Sequence, residues 1–420
     1  MKRLFLLYLI FLLAAEVRAE SDSLRIYVAP NGNDLATGGL DNPLQSFPQA
    51  VKMVKELRKT QPEKPIVVLF GGGTYPLTET VSISAESGGS ATVPVIFKGK
   101  EKESPVFTGS ASLNSWQKVP ASVVRKMMGK ISSKPVYSID LKKCGIHDVG
   151  DMVGADNRAE LYCNGELQTP SRWPNSGFAH TGKALGSKPI GYGLSGSAEG
   201  IVEYLYPRID RWAGEKNVWL HCYPLFEWRD KYYRVTVNPS ERRFNFDKPY
   251  QEGYKDGMRY YATGLLCELD SATEWFLDKD KGLIYWCPPN GVNPNKAKVS
   301  LTVLNVPYML ELSGTKNVML ENLNFIGSRG NGILVKNAEN CEIRNCRLEG
   351  LGQDGVHLEQ GRQVTVKGCI LKNLGACGFV MNGGERKTLK EAEYRIDGND
   401  VSLISHYIHT YNPAILFEGC

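Results

Sequence analysis

The stretch Val318-Met319-Leu320-Glu321-Asn322-Leu323-Asn324-Phe325 returns 23 residues later as Cys341-Glu342-Ile343-Arg344-Asn345-Cys346-Arg347-Leu348. It returns again as Val364-Thr365-Val366-Lys367-Gly368-Cys369-Ile370-Leu371. Val318, Cys341 and Val364 form one apolar column, and Leu320, Ile343 and Val366 a second. Leu323, Cys346 and Cys369 form a third, and Phe325, Leu348 and Leu371 a fourth. Gly332, Gly355 and Gly378 align next, then Ile333, Val356 and Phe379, then Val335, Leu358 and Met381. Alternate apolar residues mark a strand, because successive side chains leave it on opposite faces. Three such runs in every 23 residues, with no helix between them, predict an all-β solenoid, a parallel β-helix. Its coils would stack about 4.8 Å apart. Glu321, Arg344 and Lys367 share an outward column in which opposite charges meet on neighbouring coils. A leucine-rich repeat would need a Leu-rich consensus and a helix per repeat, and the sequence has neither.

Outward from this block, Gly383 to Arg395 breaks the period, and Val401, Leu403, His406 and Ile408 resume it before Ala414-Ile415-Leu416-Phe417. Gly378 and Ala414 are 36 residues apart, so an insertion of about 13 residues is expected before a fourth coil. The pattern stops at Cys420 with no polar cap, which predicts that further coils follow in the natural protein. Upstream, Ile26–Val28 reads as a strand. Phe47, Ala50, Val51, Val54 and Leu57 fall on one face of a helix suited to plugging the end of the solenoid. Ile66–Phe70, Thr80–Ile83, Val93–Phe97 and Pro105–Phe107 read as the first coils. Asn31, Asn33, Asp34 and Asp41 are read as turn residues bonding their own backbone rather than as a calcium site.

Met1–Ala19 reads as a cleavable export signal. Lys2 and Arg3 precede a 12-residue apolar run, and Val17 and Ala19 flank the cleavage position. The expected product is secreted or periplasmic, with no membrane span after cleavage and a formal charge reduced from +5 to +3. With 42% hydrophobic and 23% charged residues the chain is globular. No basic block argues for nucleic acid, and a monomer is expected. The ten cysteines lack the close spacing of a zinc site, so no metal and no cofactor is assigned. Cys346 and Cys369 fit either a disulfide or a ladder of thiols.

The 23-residue pattern is absent between Ser112 and Ser300, where all seven Trp lie. A separate, mostly-β module is expected there, with most of its aromatics in its core and some able to stack on sugar rings. The boundaries are a signal at 1–19, an N-terminal cap and first coils at 20–111, an inserted domain at 112–300 and solenoid coils at 301–420.

These segments carry a resemblance. It rests on Ile26–Asp34, Gly72-Gly73-Thr74-Tyr75, Leu161–Gln168, Ser171-Arg172-Trp173-Pro174-Asn175 and the Trp275–Pro288 hairpin. Gly327–Gly332, Asp354-Gly355-Val356 and Gly383–Leu389 extend it over nearly the whole mature chain. The chain resembles bacterial parallel β-helix glycoside hydrolases, most closely glycoside hydrolase family 141 with its inserted β domain. The resemblance implies a right-handed, pectin-lyase-like solenoid and hydrolysis of plant cell-wall polysaccharide, of fucosidase or xylanase type. It also implies further coils with an acid-rich stretch beyond Cys420, so the family's catalytic residues are not carried onto this chain.

Glycoside hydrolysis uses two carboxyl groups, one protonating the leaving oxygen and the other acting as nucleophile or base. The outward residues of the third strand are the expected groove lining: Leu334 and Lys336, then His357 and Glu359, then Val380 and Asn382. Glu359, Glu385 and Asp354 are the candidate catalytic carboxylates. Arg329, Lys336, His357, Asn382 and Arg386 are the candidate substrate-binding residues. Each has a plainer reading: Asp354 as a turn former, Arg329 as a donor to carbonyls of the same turn, and His357 and Glu359 as solvated strand residues. The expected partner is a poly- or oligosaccharide. The alternatives are a polysaccharide lyase on the same fold and a non-catalytic glycan-binding protein.

Overall fold

The computed structural model describes residues 23–128, 134–154, 157–186, 188–248, 250, 252–385 and 387–418. The expected export signal and Arg386 lie outside the described residues. The chain divides into two compact units. One holds the residues up to Ser110, Leu304–His406 and those from Pro413; the other holds Ala111–Val303 with Tyr407–Asn412.

The first unit is a parallel β-helix of three sheets. The first sheet stacks Leu24–Val28, Ile66–Phe70, Val95–Gly99, Val318–Glu321, Glu342–Arg344, Thr365–Lys367 and Arg395–Asp397. The second runs from Gly73–Pro76 to Asp400–Ser402, and the third from Val81–Ser84 to Ile415–Phe417. The pairing follows the repeat. Leu320 faces Ile343 and Ile343 faces Val366, and Phe325, Leu348 and Leu371 stack in the second sheet. All six are fully buried, and burying each such side chain stabilises by about 1.5–3 kcal/mol. The solenoid resumes in register after the inserted segment, for Leu320 lies over Phe97 and Leu312 over Ile83.

Three further columns explain how the coils turn. A Cβ at Gly355 would lie 2.5 Å from the Gly378 carbonyl oxygen and 2.6 Å from the Leu371 side chain, so only glycine fits that corner. Asn317, Asn340 and Gln363 each hold a left-handed φ near +50°, as do Asn322 and Asn345. Asparagine tolerates this region, so its recurrence every 23 residues marks the bends between sheets. Glu321 pairs with Arg344 at 2.9 Å, while Lys367 turns to Glu342 at 3.2 Å.

The N-terminal helix α1 spans Phe47–Thr60. Ser46 caps it by accepting from the Gln49 amide, and Pro48 sits in its first turn. Phe47 packs against Phe70, Phe97 and Phe107 at centroid distances of 4.7, 5.4 and 4.9 Å. Asp34 accepts hydrogen bonds from Gln45 and Ser46, which is a turn role.

The late insertion differs from expectation. Thr365 faces Arg395 and Leu371 faces Val401, 30 residues on, whereas Phe379 faces Ile415, 36 residues on. The extra residues therefore enter in two places, before Arg395 and after Ser402. Leu403, expected to resume the pattern, is exposed with a φ of +52°. Ile408 leaves the coil altogether, since Tyr407–Asn412 belongs to the second unit.

In the second unit, six antiparallel strands close into a ring. They are Arg259–Thr263, Ala179–Ala184, Ile201–Tyr204, Arg243–Phe246, Lys231–Asn238 and Val218–Cys222, the last pairing back to the first. Its core holds Trp212, Phe244, Tyr254 and Tyr260. Trp275 pairs with Trp286 in the hairpin expected there. Trp116, Trp212, Trp275 and Trp286 are buried, whereas Trp228 is exposed.

Candidate active site

The outward face of the third sheet gathers four of the expected residues. Strand alternation sends Ile333, Val335, Val356 and Leu358 into the core and turns Leu334, Lys336, His357 and Glu359 outward. Register then sets Lys336 beside Glu359, Glu359 beside Asn382, and His357 between Leu334 and Val380. His357 Nε2 lies 2.9 Å from Asp354 Oδ2, and its Nδ1 lies 3.8 Å from Glu359 Oε1. Lys336 Nζ reaches Glu359 Oε2 at 3.3 Å. The imidazole thus stands between two carboxylates, one of which also meets an ammonium group.

Exposure separates the two carboxylates. Asp354 is 19% exposed and Glu359 33%. Asp354 Oδ1 accepts the Cys377 amide of the next coil at 2.6 Å, and its own amide donates to Asn331 Oδ1 at 3.0 Å. Asp354 therefore bonds across the turn to the next coil and to His357. Glu359 is the more exposed of the two carboxyl groups.

Sequence reading missed Tyr308. Its hydroxyl lies 3.0 Å from His357 Nδ1. Burial, with Glu359 and Asp354 adding to it, pushes the phenol up to about 12, so Tyr308 stays protonated at neutral pH. The Asp354 carboxylate can only accept, so Nε2–H donates to it, and Nδ1 shares a hydrogen bond with the Tyr308 hydroxyl. Tyr308 pairs with Asn331, one coil before Asp354. An aromatic at that column was its signal in the sequence.

The remaining expectations are placed elsewhere. Arg329 is fully buried, so its guanidinium offers no surface to a substrate in this state. A bend that puts a long cation under the corner is invisible to the repeat. Asn382 is exposed at the strand end. Glu385 lies in the turn beyond it, where its carboxylate accepts the Lys387 amide at 3.3 Å and its backbone bridges to Lys390.

In the second unit, His221, Asp230 and His409 group as metal ligands would. Asp230 is already filled, however. Oδ2 takes His221 Nε2 at 2.6 Å and the His409 amide at 2.8 Å, and Oδ1 takes the Thr410 amide at 3.0 Å and the Thr410 hydroxyl. Burial opposes its charge, but these bonds outweigh it and hold Asp230 well below the usual carboxylate range. Burial likewise lowers His221, against the pull of Asp230. The cluster clips Tyr407–Asn412 onto Asp230, which the buried His221 also holds. All nine described cysteines are free thiols.

Comparison with known proteins agrees on the scaffold. A family model described as "Right handed beta helix region" matches residues 305–411. Over 84 residues the chain is 36% identical to pectate lyase PEL9 of Emericella nidulans, a match covering 20% of this chain and 18% of the lyase. The chain thus spans less than a fifth of that curated relative. A solved structure titled "Glycoside hydrolase" superposes with a TM-score of 0.73 at 16% identity, covering 91% of this chain and 74% of that one. At such identity the likeness speaks for the fold: this chain is built on a right-handed parallel β-helix of the pectin-lyase-like kind, with a second β unit inserted in it.

Proposed function

We propose that this chain belongs to a secreted enzyme that hydrolyses glycosidic bonds in plant cell-wall polysaccharide, with Glu359 as its proton-transferring carboxyl group. The observation that carries this reading is the Asp354–His357–Glu359 group, with Tyr308 and Lys336, on the outward face of one sheet. Glu359 is one-third exposed beside Lys336, where a sugar oxygen could approach it. Lys336 and Asn382 flank it and offer donors to sugar hydroxyls. Glu385, in the turn beyond Asn382, is the candidate for the second carboxyl group that hydrolysis requires. The β-helix scaffold and the likeness to a glycoside hydrolase support this reading.

The match to a pectate lyase favours a second reading, elimination on the same fold. A lyase needs a base beside a uronate and a cation to meet the uronate charge, and the cation of this face, Lys336, is already paired with Glu359. Incubation with arabinoxylan, fucosylated pectin fragments and polygalacturonate decides between the readings. New reducing ends without unsaturated sugars support hydrolysis, and unsaturated ends from polygalacturonate support the lyase. Release of nothing from any of these glycans would sink both.

A further inference from the structure

We propose that the second unit carries its own binding cleft for neutral oligosaccharides, separate from the β-helix face. A depression of about 730 Å³ opens within this unit, a size typical of small-ligand sites, at roughly 300–1,000 Å³. Trp219 and Phe276 line it and are both half-buried. Trp219 is there for a reason of strand geometry: its neighbours Val218 and Leu220 enter the core of the ring of strands, so alternation turns the indole outward. A large aromatic surface left open in a depression is a stacking face for the C–H side of a pyranose ring.

The polar rim sets the class of ligand. Lys216 pairs with Asp280, Lys279 with Asp151, and Lys281 with Asp278. Arg234 and Glu215 complete the charged lining, which makes four cations against four anions. Glu215 is engaged with the Cys267 amide and Arg234 with Asp247. A cleft for a polyuronate would need a surplus of cations. A rim with equal numbers of charged donors and acceptors instead suits hydroxyl groups, which accept and donate at once. The choice of a carbohydrate, rather than another neutral ligand, rests on the polysaccharide reading above.

Gly214 supplies a clean perturbation. It lines the cleft, its backbone is not left-handed, and a Cβ there would meet nothing within 4 Å. Leucine at 214 therefore fills the opening without displacing the fold. Isothermal titration calorimetry of the full chain with xylohexaose, cellohexaose, mannohexaose and hexagalacturonate tests the cleft. At least one neutral hexasaccharide is expected to bind with a Kd below about 1 mM. Trp219→Ala and Gly214→Leu should each weaken that binding about tenfold or more, with the Gly214→Leu unfolding midpoint unchanged. Glu359→Gln should leave it intact. Binding unaffected by both cleft substitutions, preferential binding of hexagalacturonate, or no saturable binding of any neutral probe would overturn the proposal. Because this readout is binding, it stands apart from any failure of product release at the β-helix face.

Discussion

Replacing Glu359 by Gln separates chemistry from structural support. Glu359 is one-third exposed, and its contacts with Lys336 and His357 are 3.3 and 3.8 Å long. Ion pairs of that kind contribute about 0.2–1 kcal/mol, so Glu359→Gln should lower unfolding stability by less than about 1 kcal/mol. As the proton-transferring group it should nonetheless carry about 10²–10⁴ in rate, or roughly 3–5 kcal/mol of barrier. Asp354→Asn should behave in the opposite proportion. Asp354 Oδ1 accepts the Cys377 amide, and its Oδ2 holds His357. Weakening a hydrogen bond to a charged group costs about 1.5–3 kcal/mol, so this variant should unfold at clearly lower urea. Urea denaturation followed by fluorescence, run beside reducing-end release, measures both quantities on the same samples. A Glu359→Gln protein that keeps the wild-type rate would refute the assignment. So would an Asp354→Asn protein as stable as wild type.

Phe47→Ala removes the α1 side chain that meets Phe70, Phe97 and Phe107, and should cost about 3–5 kcal/mol by urea titration. A loss below about 1 kcal/mol would mean that the helix does not seal the coil core. Gly355→Val forces a side chain against the Gly378 carbonyl and Leu371, and should destabilise by about 1–3 kcal/mol or more; calorimetry showing no drop in Tm would contradict that corner. Asp230→Ala removes the acceptor of the His221 ring and of the His409 and Thr410 amides and should cost about 1.5–3 kcal/mol or more at neutral pH. The folded carboxyl of Asp230 titrates below its unfolded value, so its stabilisation is present above about pH 3.9 and drains away as pH falls further. The stability gap between wild type and Asp230→Ala should therefore narrow below that pH, and a gap that is constant from pH 7 to pH 3 would speak against the clip.

The solenoid was legible in the chain because a period of 23 with alternating apolar positions leaves few ways to bury every column. Leu320 over Ile343 over Val366 follows from that arithmetic, and so does the outward placing of Lys336, His357 and Glu359. The separateness of the Trp-rich segment was legible too, because the period vanishes there. What the chain could not convey is which partner each polar group finds. Arg329 sits under a corner, Tyr308 reaches a histidine 49 residues away, and Asp230 binds a segment 180 residues on. The division of the late insertion into two excursions likewise depended on where Tyr407–Asn412 found a partner. Hydrophobic columns repeat because every coil meets the same neighbour, and repetition is visible in one dimension. Hydrogen-bond partners are chosen by direction and distance in three, and only the folded chain fixes them.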